Sequence, residues 1–377
     1  MASKPINMSE FPENNPPTRI LLGPGPSTVD PRVLRAMATP LLGHLDPKFV
    51  QLMDRTQELL RYVMQTENSL TIPISGTGSA AMEGSVANMV EDGVPVLVCV
   101  SGYFGLRLAD MVGRYGGVLQ TIQRPWGEVF STSEIEEALK KHHSKVVVIV
   151  HAETSTGAKQ PLQEIVKVVH EMNAIIIVDA VTSLGGIPFF TDEWDLDVVY
   201  SGSQKCLSCP PGMSPITLGP RAIEVLNNRK SLVKSWYLDL SSIQKYWGKD
   251  RTYHHTAPIS AVYSFYEALR IVAEEGLENR WKRHRENAEM FWDGLEEIGL
   301  ECQVPLENRL ESLTTVKVPP GVDETIVRQR LLSEYNIEIS GGLGELKGKV
   351  WRVGLMGYSS RKEYIVLLLA ALRKLIK

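Results

Sequence analysis

The chain has 377 residues, 43% of them hydrophobic and 22% charged, and its 40 basic and 44 acidic side chains leave a net charge of −4. That balance excludes a disordered or fibrous protein, and its mild, mixed charge argues against a nucleic-acid groove or a polybasic membrane patch. The length predicts a large and a smaller domain, divided here into an arm over residues 1–20, a large domain over 21–275 and a small one over 276–377. Cys99, Cys206, Cys209 and Cys302 are too few for a disulfide framework and predict reduced thiols, hence the cytoplasm.

Met1 to Pro17 is rich in proline and polar residues and lacks the apolar core of a secretory signal. No apolar run approaches the length of a bilayer span. Leu21-Leu22-Gly23-Pro24-Gly25-Pro26-Ser27 predicts a rigid, non-helical segment that either approaches a ligand closely or simply turns the chain. Asp30-Pro31 and Asp46-Pro47 each open a helix, a capping residue followed by a proline at the first helical position.

From Leu70 to Tyr200 short β-branched runs alternate with helical segments. Strands are expected at 70–74, 94–100, 118–122, 146–150, 175–178 and 196–200, with helices at 79–90, 106–115, 132–143 and 162–172. This pattern predicts an α/β fold, a mostly parallel sheet covered by helices on both faces, with reactive groups where strands end at their carboxyl side.

Four loops at such ends draw notice. Ser75-Gly76-Thr77-Gly78-Ser79 opens a helix with free amides and hydroxyls, which suits a phosphate and equally an ordinary capped turn. Phe104 lies between glycines and either stacks on a flat ring or packs. Glu153-Thr154-Ser155-Thr156-Gly157 offers hydroxyls to a ligand or to its own turn. Asp179 ends the most apolar strand, where an unpaired carboxylate is costly.

Lys205, in Ser201-Gly202-Ser203-Gln204-Lys205-Cys206, follows Asp179 by 26 positions, one helix-and-strand crossover on. A lysine in a small-residue loop is either a surface residue or an amine sheltered for Schiff-base chemistry. A phosphate site, an aromatic stack, an anion and a lysine together suit pyridoxal phosphate.

Farther on, Met213 to Leu218 predicts a strand, and Trp236 to Thr256 is too irregular for a helix. Helices follow at 259–274 and 277–298, then an α+β module: strand 313–318, helix 324–335, strand 337–340, strand 350–354 and a final helix from Arg361. Arg352, on the last strand, carries a fork that fits a carboxylate. His254-His255 is an ordinary polar pair, and no metal site is predicted.

Over nearly its whole length the chain resembles the class V, fold type I aminotransferases, in the group of alanine-glyoxylate and serine-pyruvate aminotransferases. The resemblance rests on Leu22-Gly23-Pro24-Gly25-Pro26-Ser27, Ser75-Gly76-Thr77-Gly78, Glu153-Thr154-Ser155-Thr156-Gly157, Val178-Asp179-Ala180, Ser201-Gly202-Ser203-Gln204-Lys205, Tyr253-His254-His255-Thr256 and Trp351-Arg352-Val353-Gly354. It implies pyridoxal phosphate bonded to Lys205, with Asp179 at the ring nitrogen, Phe104 on the ring face and Thr154 near the ring hydroxyl. Thr77, Gly78, Ser79 and Gln204 would hold the phosphate, and Gly25 and Arg352 the substrate. Tyr253 and Thr256 would reach the cofactor of a second subunit, which implies a homodimer with shared active sites. Phe104 and Ser79 depart from the tryptophan and histidine that animal members often carry.

The implied reaction is a ping-pong transfer of the amino group of alanine, or serine, to glyoxylate, giving glycine and pyruvate, or hydroxypyruvate. The partners are then small amino and 2-oxo acids, with neither nucleic acid nor membrane. Two rivals stand beside it. A lyase or cysteine desulfurase would keep the cofactor, the latter using Cys302. A zinc deaminase would use His151-Ala152-Glu153 with Cys206-Leu207-Ser208-Cys209, two parts 55 positions apart.

Overall fold

A computed structural model describes residues 6–376; the first five residues of the expected arm lie outside it, and residues 6–18 are exposed. The α/β expectation holds. Seven strands form the central sheet in the spatial order Leu70–Gly76, Gly212–Leu218, Val198–Tyr200, Ile175–Asp179, Val146–Val150, Pro95–Val100 and Val118–Gln123. Only Gly212–Leu218 runs against the others, pairing antiparallel with both of its neighbours. The central strands are buried along their whole length, as continuous β-branched runs require when helices cover both faces.

This topology gathers the carboxyl ends of six strands on one edge. The reversed strand adds its amino end there, with Gly212 opposite Gly76, so the chain from Tyr200 to Gly212 never leaves that edge.

Three expectations are corrected. Between Asp179 and Val198 the crossover contains turns and no helix, so the two strands are joined by a compact loop. The stretch from Trp236 to Thr256 contains the helix Leu240–Trp247, capped by Asp239 and held by the buried side chains of Leu240, Ile243, Tyr246 and Trp247. The strand expected over 337–340 is two short ones, Ile337–Glu338 and Ser340–Gly341, which belong to different sheets.

Ile337–Glu338 pairs in parallel with Ile20–Leu21, a strand the sequence did not announce. Ser340–Gly341, Val350–Gly354 and Leu313–Lys317 form a second, antiparallel sheet. An apolar cluster of its own lies beneath it, from Phe291 and Leu295 through Trp351 and Val353 to Leu372, and Leu22 is part of it. The larger cluster runs from Val33 to Leu277 around the central sheet.

Candidate active site

Lys205 is buried against the opening segment of the chain. Its Nζ donates to the Pro24 carbonyl, and its side chain lies where a Cβ on Gly25 would stand 2.5 Å from its Cδ and 2.7 Å from its Nζ. Gly25 has φ +99, a conformation only glycine adopts freely, so the residue serves both backbone and clearance. Ser27 completes the contact, donating from its backbone N–H to Gln204 O at 2.9 Å and from Oγ to Lys205 O at 2.8 Å. Burial, with the Arg352 guanidinium adding to it, holds the Lys205 amine down to about 8.

The loop that carries Lys205 is fixed by its own serines: Ser203 Oγ donates to Pro210 O at 2.7 Å and Ser201 Oγ to Ala180 O at 3.0 Å. Arg280, fully buried, donates to Gly185 O at 2.9 Å and also to Cys206 O. Beneath lies Asp179. Its Oδ1 accepts the Val181 N–H at 2.9 Å and its Oδ2 the Tyr200 hydroxyl at 2.8 Å. Two donors favour the charge, yet burial is the larger effect and pushes the carboxyl up to about 6.

A second corner is made by Thr77, Gly78, Ser79 and Gln204. Thr77 caps helix Gly78–Met89 without a side-chain hydrogen bond, which leaves the helix entrance open. The helix sits close under the sheet because Gly84 and its small neighbours permit it; a Cβ on Gly84 would touch Ile74 Cδ1 at 3.2 Å. Gly78 and Gly202 face each other so nearly that a Cβ on Gly78 would stand 3.5 Å from Gly202 Cα. Gln204 Oε1 is buried there with no hydrogen-bond partner. The free N–H groups at an open helix end make this corner a place for an anion, whereas the unpaired Gln204 Oε1 is an acceptor that calls for a donor.

Arg352 approaches from the second sheet. It is buried, donates from Nε to Gly341 O at 2.8 Å and from Nη1 to Thr154 O at 3.2 Å, and burial lowers it to about 10. Among the described residues neither Lys205 nor Arg352 forms an ion pair with a carboxylate. Thr154 turns its hydroxyl to that of Thr182. Phe104 lies in the first turn of helix Tyr103–Arg114. Tyr253 and Thr256 do not join the cluster; both are exposed, and their one side-chain hydrogen bond is to each other, at 3.4 Å.

Four residues of the site carry no role in the aminotransferase resemblance. Pro24 accepts from Lys205 and Tyr200 donates to Asp179. Glu153, wholly buried, accepts from Ser155 N at 3.0 Å and Ser155 Oγ at 2.6 Å, and burial raises its carboxyl. Arg107 places its guanidinium 4.9 Å from the Phe104 ring. The i to i+3 spacing of Phe104 and Arg107 was the one available signal.

The chain matches the family model Aminotransferase class-V over residues 21–363. The chain belongs to this family. It is 40% identical to the alanine–glyoxylate aminotransferase of Rattus norvegicus over 380 residues, covering 100% of this chain and 90% of the relative. It is 39% identical to the (S)-ureidoglycine–glyoxylate transaminase of Bacillus subtilis, covering 96% and 91%. Among solved structures, the alanine–glyoxylate aminotransferase of Nostoc sp. superposes with a TM-score of 0.96 at 54% identity, covering 99% of this chain and 100% of that one.

As a class-V aminotransferase the chain is a transaminase dependent on pyridoxal phosphate. The residues present fit that group. A buried amine without a counter-ion, a carboxylate at the next strand end and an open helix entrance with free N–H groups match its aldehyde, ring nitrogen and phosphate. The deaminase and desulfurase residues do not assemble. His151 packs against Phe189 and Trp194, Cys209 is in the large apolar cluster, and Cys302 is bridged to Val316 in the second sheet.

Proposed function

We propose that this aminotransferase moves the amino group of alanine, or of serine, to glyoxylate, giving glycine and pyruvate, or hydroxypyruvate. The observation that carries the reading is the burial of the Lys205 amine on the Pro24–Gly25 segment, one strand end from Asp179, with Arg352, which has no carboxylate partner among the described residues, facing it from the second sheet. One arginine suits small acids with one carboxylate. The names of the rat and Nostoc proteins support alanine and glyoxylate.

Lys205 would hold pyridoxal phosphate through its amine, and Thr77, Gly78, Ser79 and Gln204 through its phosphate. Phe104 would cover the ring, Thr154 would lie near its hydroxyl, and Asp179 would hold the proton on its nitrogen. When bound, the cofactor supplies an electron sink that makes the α-proton of the amino substrate acidic. Arg352 then binds and orients the substrate carboxylate, and Gly25 leaves room beside it. The Lys205 amine would be the base that takes the proton from the substrate's α-carbon and holds it on Nζ for its return. An amine poised near pH 8 does this well at neutral pH, where neither its free nor its protonated form is scarce.

Absorbance of the purified protein, followed by borohydride reduction and peptide mapping, tests the attachment to Lys205; a colourless protein that takes up no pyridoxal phosphate overturns the reading. Incubation with alanine and glyoxylate, then serine and glyoxylate, ranks the donors by pyruvate and hydroxypyruvate formed. Inert mixtures would reject both.

The partner is proposed to be a second copy of the chain. Tyr253 and Thr256 are exposed, and Trp236, 66% exposed, stacks on the adjacent His254, in the manner of groups that complete a neighbour's site. Full activity in a protein that sediments as a monomer would refute shared sites. The cytoplasm is proposed as its compartment, on the four free cysteines; among the described residues no helix is long and apolar enough to cross a membrane.

A further inference from the structure

Arg107 is a cation in an unfavourable position. Its Nη1 donates to Ser79 Oγ at 3.3 Å, and Ser79 is the second residue of helix Gly78–Met89, so the guanidinium stands at the positive end of a helix dipole. Arg114 and Arg124, the next arginines in the chain, are paired with Asp110 and Glu128, whereas Arg107 has no carboxylate partner among the described residues. What it has instead is an aromatic support: its guanidinium lies 4.9 Å from the ring of Phe104 and 5.5 Å from that of Tyr103. Its charge is felt at Lys205, where it helps to hold the amine down.

An anion between the helix end and the guanidinium converts two mutually repelling positive groups into a clamp. We propose that Arg107 is a phosphate-binding residue, closing from the side of Phe104 on the anion that helix Gly78–Met89 and Gln204 hold. This rests on the reading of that corner as the seat of the cofactor phosphate. Ser79 is the element that admits it. The short hydroxyl leaves the guanidinium room to reach the helix entrance, and Phe104 holds its plane. The substrate carboxylate is the less fitting anion, because Arg352 reaches Thr154 and Gly341 from the other sheet while Arg107 touches Ser79.

The test compares pyridoxal 5'-phosphate with pyridoxal, which lacks the phosphate, in titrations of the cofactor-free full-length protein followed by the absorbance of the lysine-bound chromophore. Arg107→Gln is expected to weaken pyridoxal 5'-phosphate by about tenfold to a hundredfold and pyridoxal by less than about twofold. Arg107→Lys, which keeps the charge and loses the fork, is expected to fall between and decides the matter alone if Arg107→Gln does not fold. Inorganic phosphate is expected to compete with cofactor uptake in the natural protein and less in Arg107→Gln. Equal weakening of both ligands, or no change in their ratio, overturns the role. If the natural protein forms a chromophore with neither, the cofactor reading itself fails; if it forms one and the ratio holds, only Arg107 is excluded.

Discussion

Tyr200 and Asp179 are direct partners across neighbouring parallel strands, and the Tyr200 hydroxyl donates to Asp179 Oδ2 at 2.8 Å. Both are buried, and the carboxyl stands at about 6 even with this donor in place. Removing the hydroxyl takes away one of two bonds to the charged form, so Tyr200→Phe raises Asp179 further, by about one pH unit. The ionised carboxylate is the useful form. The acid limb of the kcat/KM profile is therefore expected to move to higher pH by that amount, with the alkaline limb unmoved. An acid limb that stays in place would mean that the phenol does not support the charge.

Lys205→Met is expected to abolish turnover and, in the cofactor-free protein, to increase stability. The amine is lowered from 10.5 to about 8 by burial, so its contribution to stability is fully present above 10.5 and is lost as pH falls through 8. At pH 7 a charged amine is buried without a counter-ion, and its replacement is worth up to about 3 kcal/mol. Near pH 10.5 the difference should vanish. Urea unfolding of both proteins at the two pH values checks it, and an equal gain at both would exclude ionisation as the cause.

Gly25→Ala places a methyl group 2.5 to 2.9 Å from three atoms of the Lys205 side chain, at a φ of +99 that alanine tolerates poorly. The lysine has to leave the Pro24 carbonyl. The expected result is a folded protein with a normal far-ultraviolet spectrum whose borohydride-trapped cofactor falls at least about tenfold. Normal trapping would show that the amine does not depend on this clearance.

Arg352→Lys keeps a charge where the planar fork is lost. KM for both the amino acid and the 2-oxo acid is expected to rise by about tenfold to a hundredfold while cofactor uptake is unchanged. A loss of cofactor affinity with KM preserved would assign the arginine elsewhere.

The sheet was legible because Val146–Val150 and residues 175–178 are unbroken β-branched runs, a pattern that double-sided burial explains. Asp179 and Lys205 followed from strand ends. Tyr200 did not, since its pairing with Asp179 depends on the register of two strands, which spacing alone leaves free. Helix Leu240–Trp247 was missed because its two serines and large aromatics are weak helix formers and burial of Tyr246 and Trp247 decides the matter. The contact of Arg107 with Ser79 joins residues 28 positions apart and is purely tertiary.

The strand Ile20–Leu21 has a mechanical consequence. Gly354, two residues past Arg352, donates to Leu22 O at 2.8 Å, and Pro24 accepts from Lys205. The guanidinium and the amine are thus joined through a strap of three residues, 22 to 24, rather than only through the packing of two bodies. That strap acts as a ruler: it sets the span between the backbone beside Arg352 and the carbonyl to which the lysine is moored.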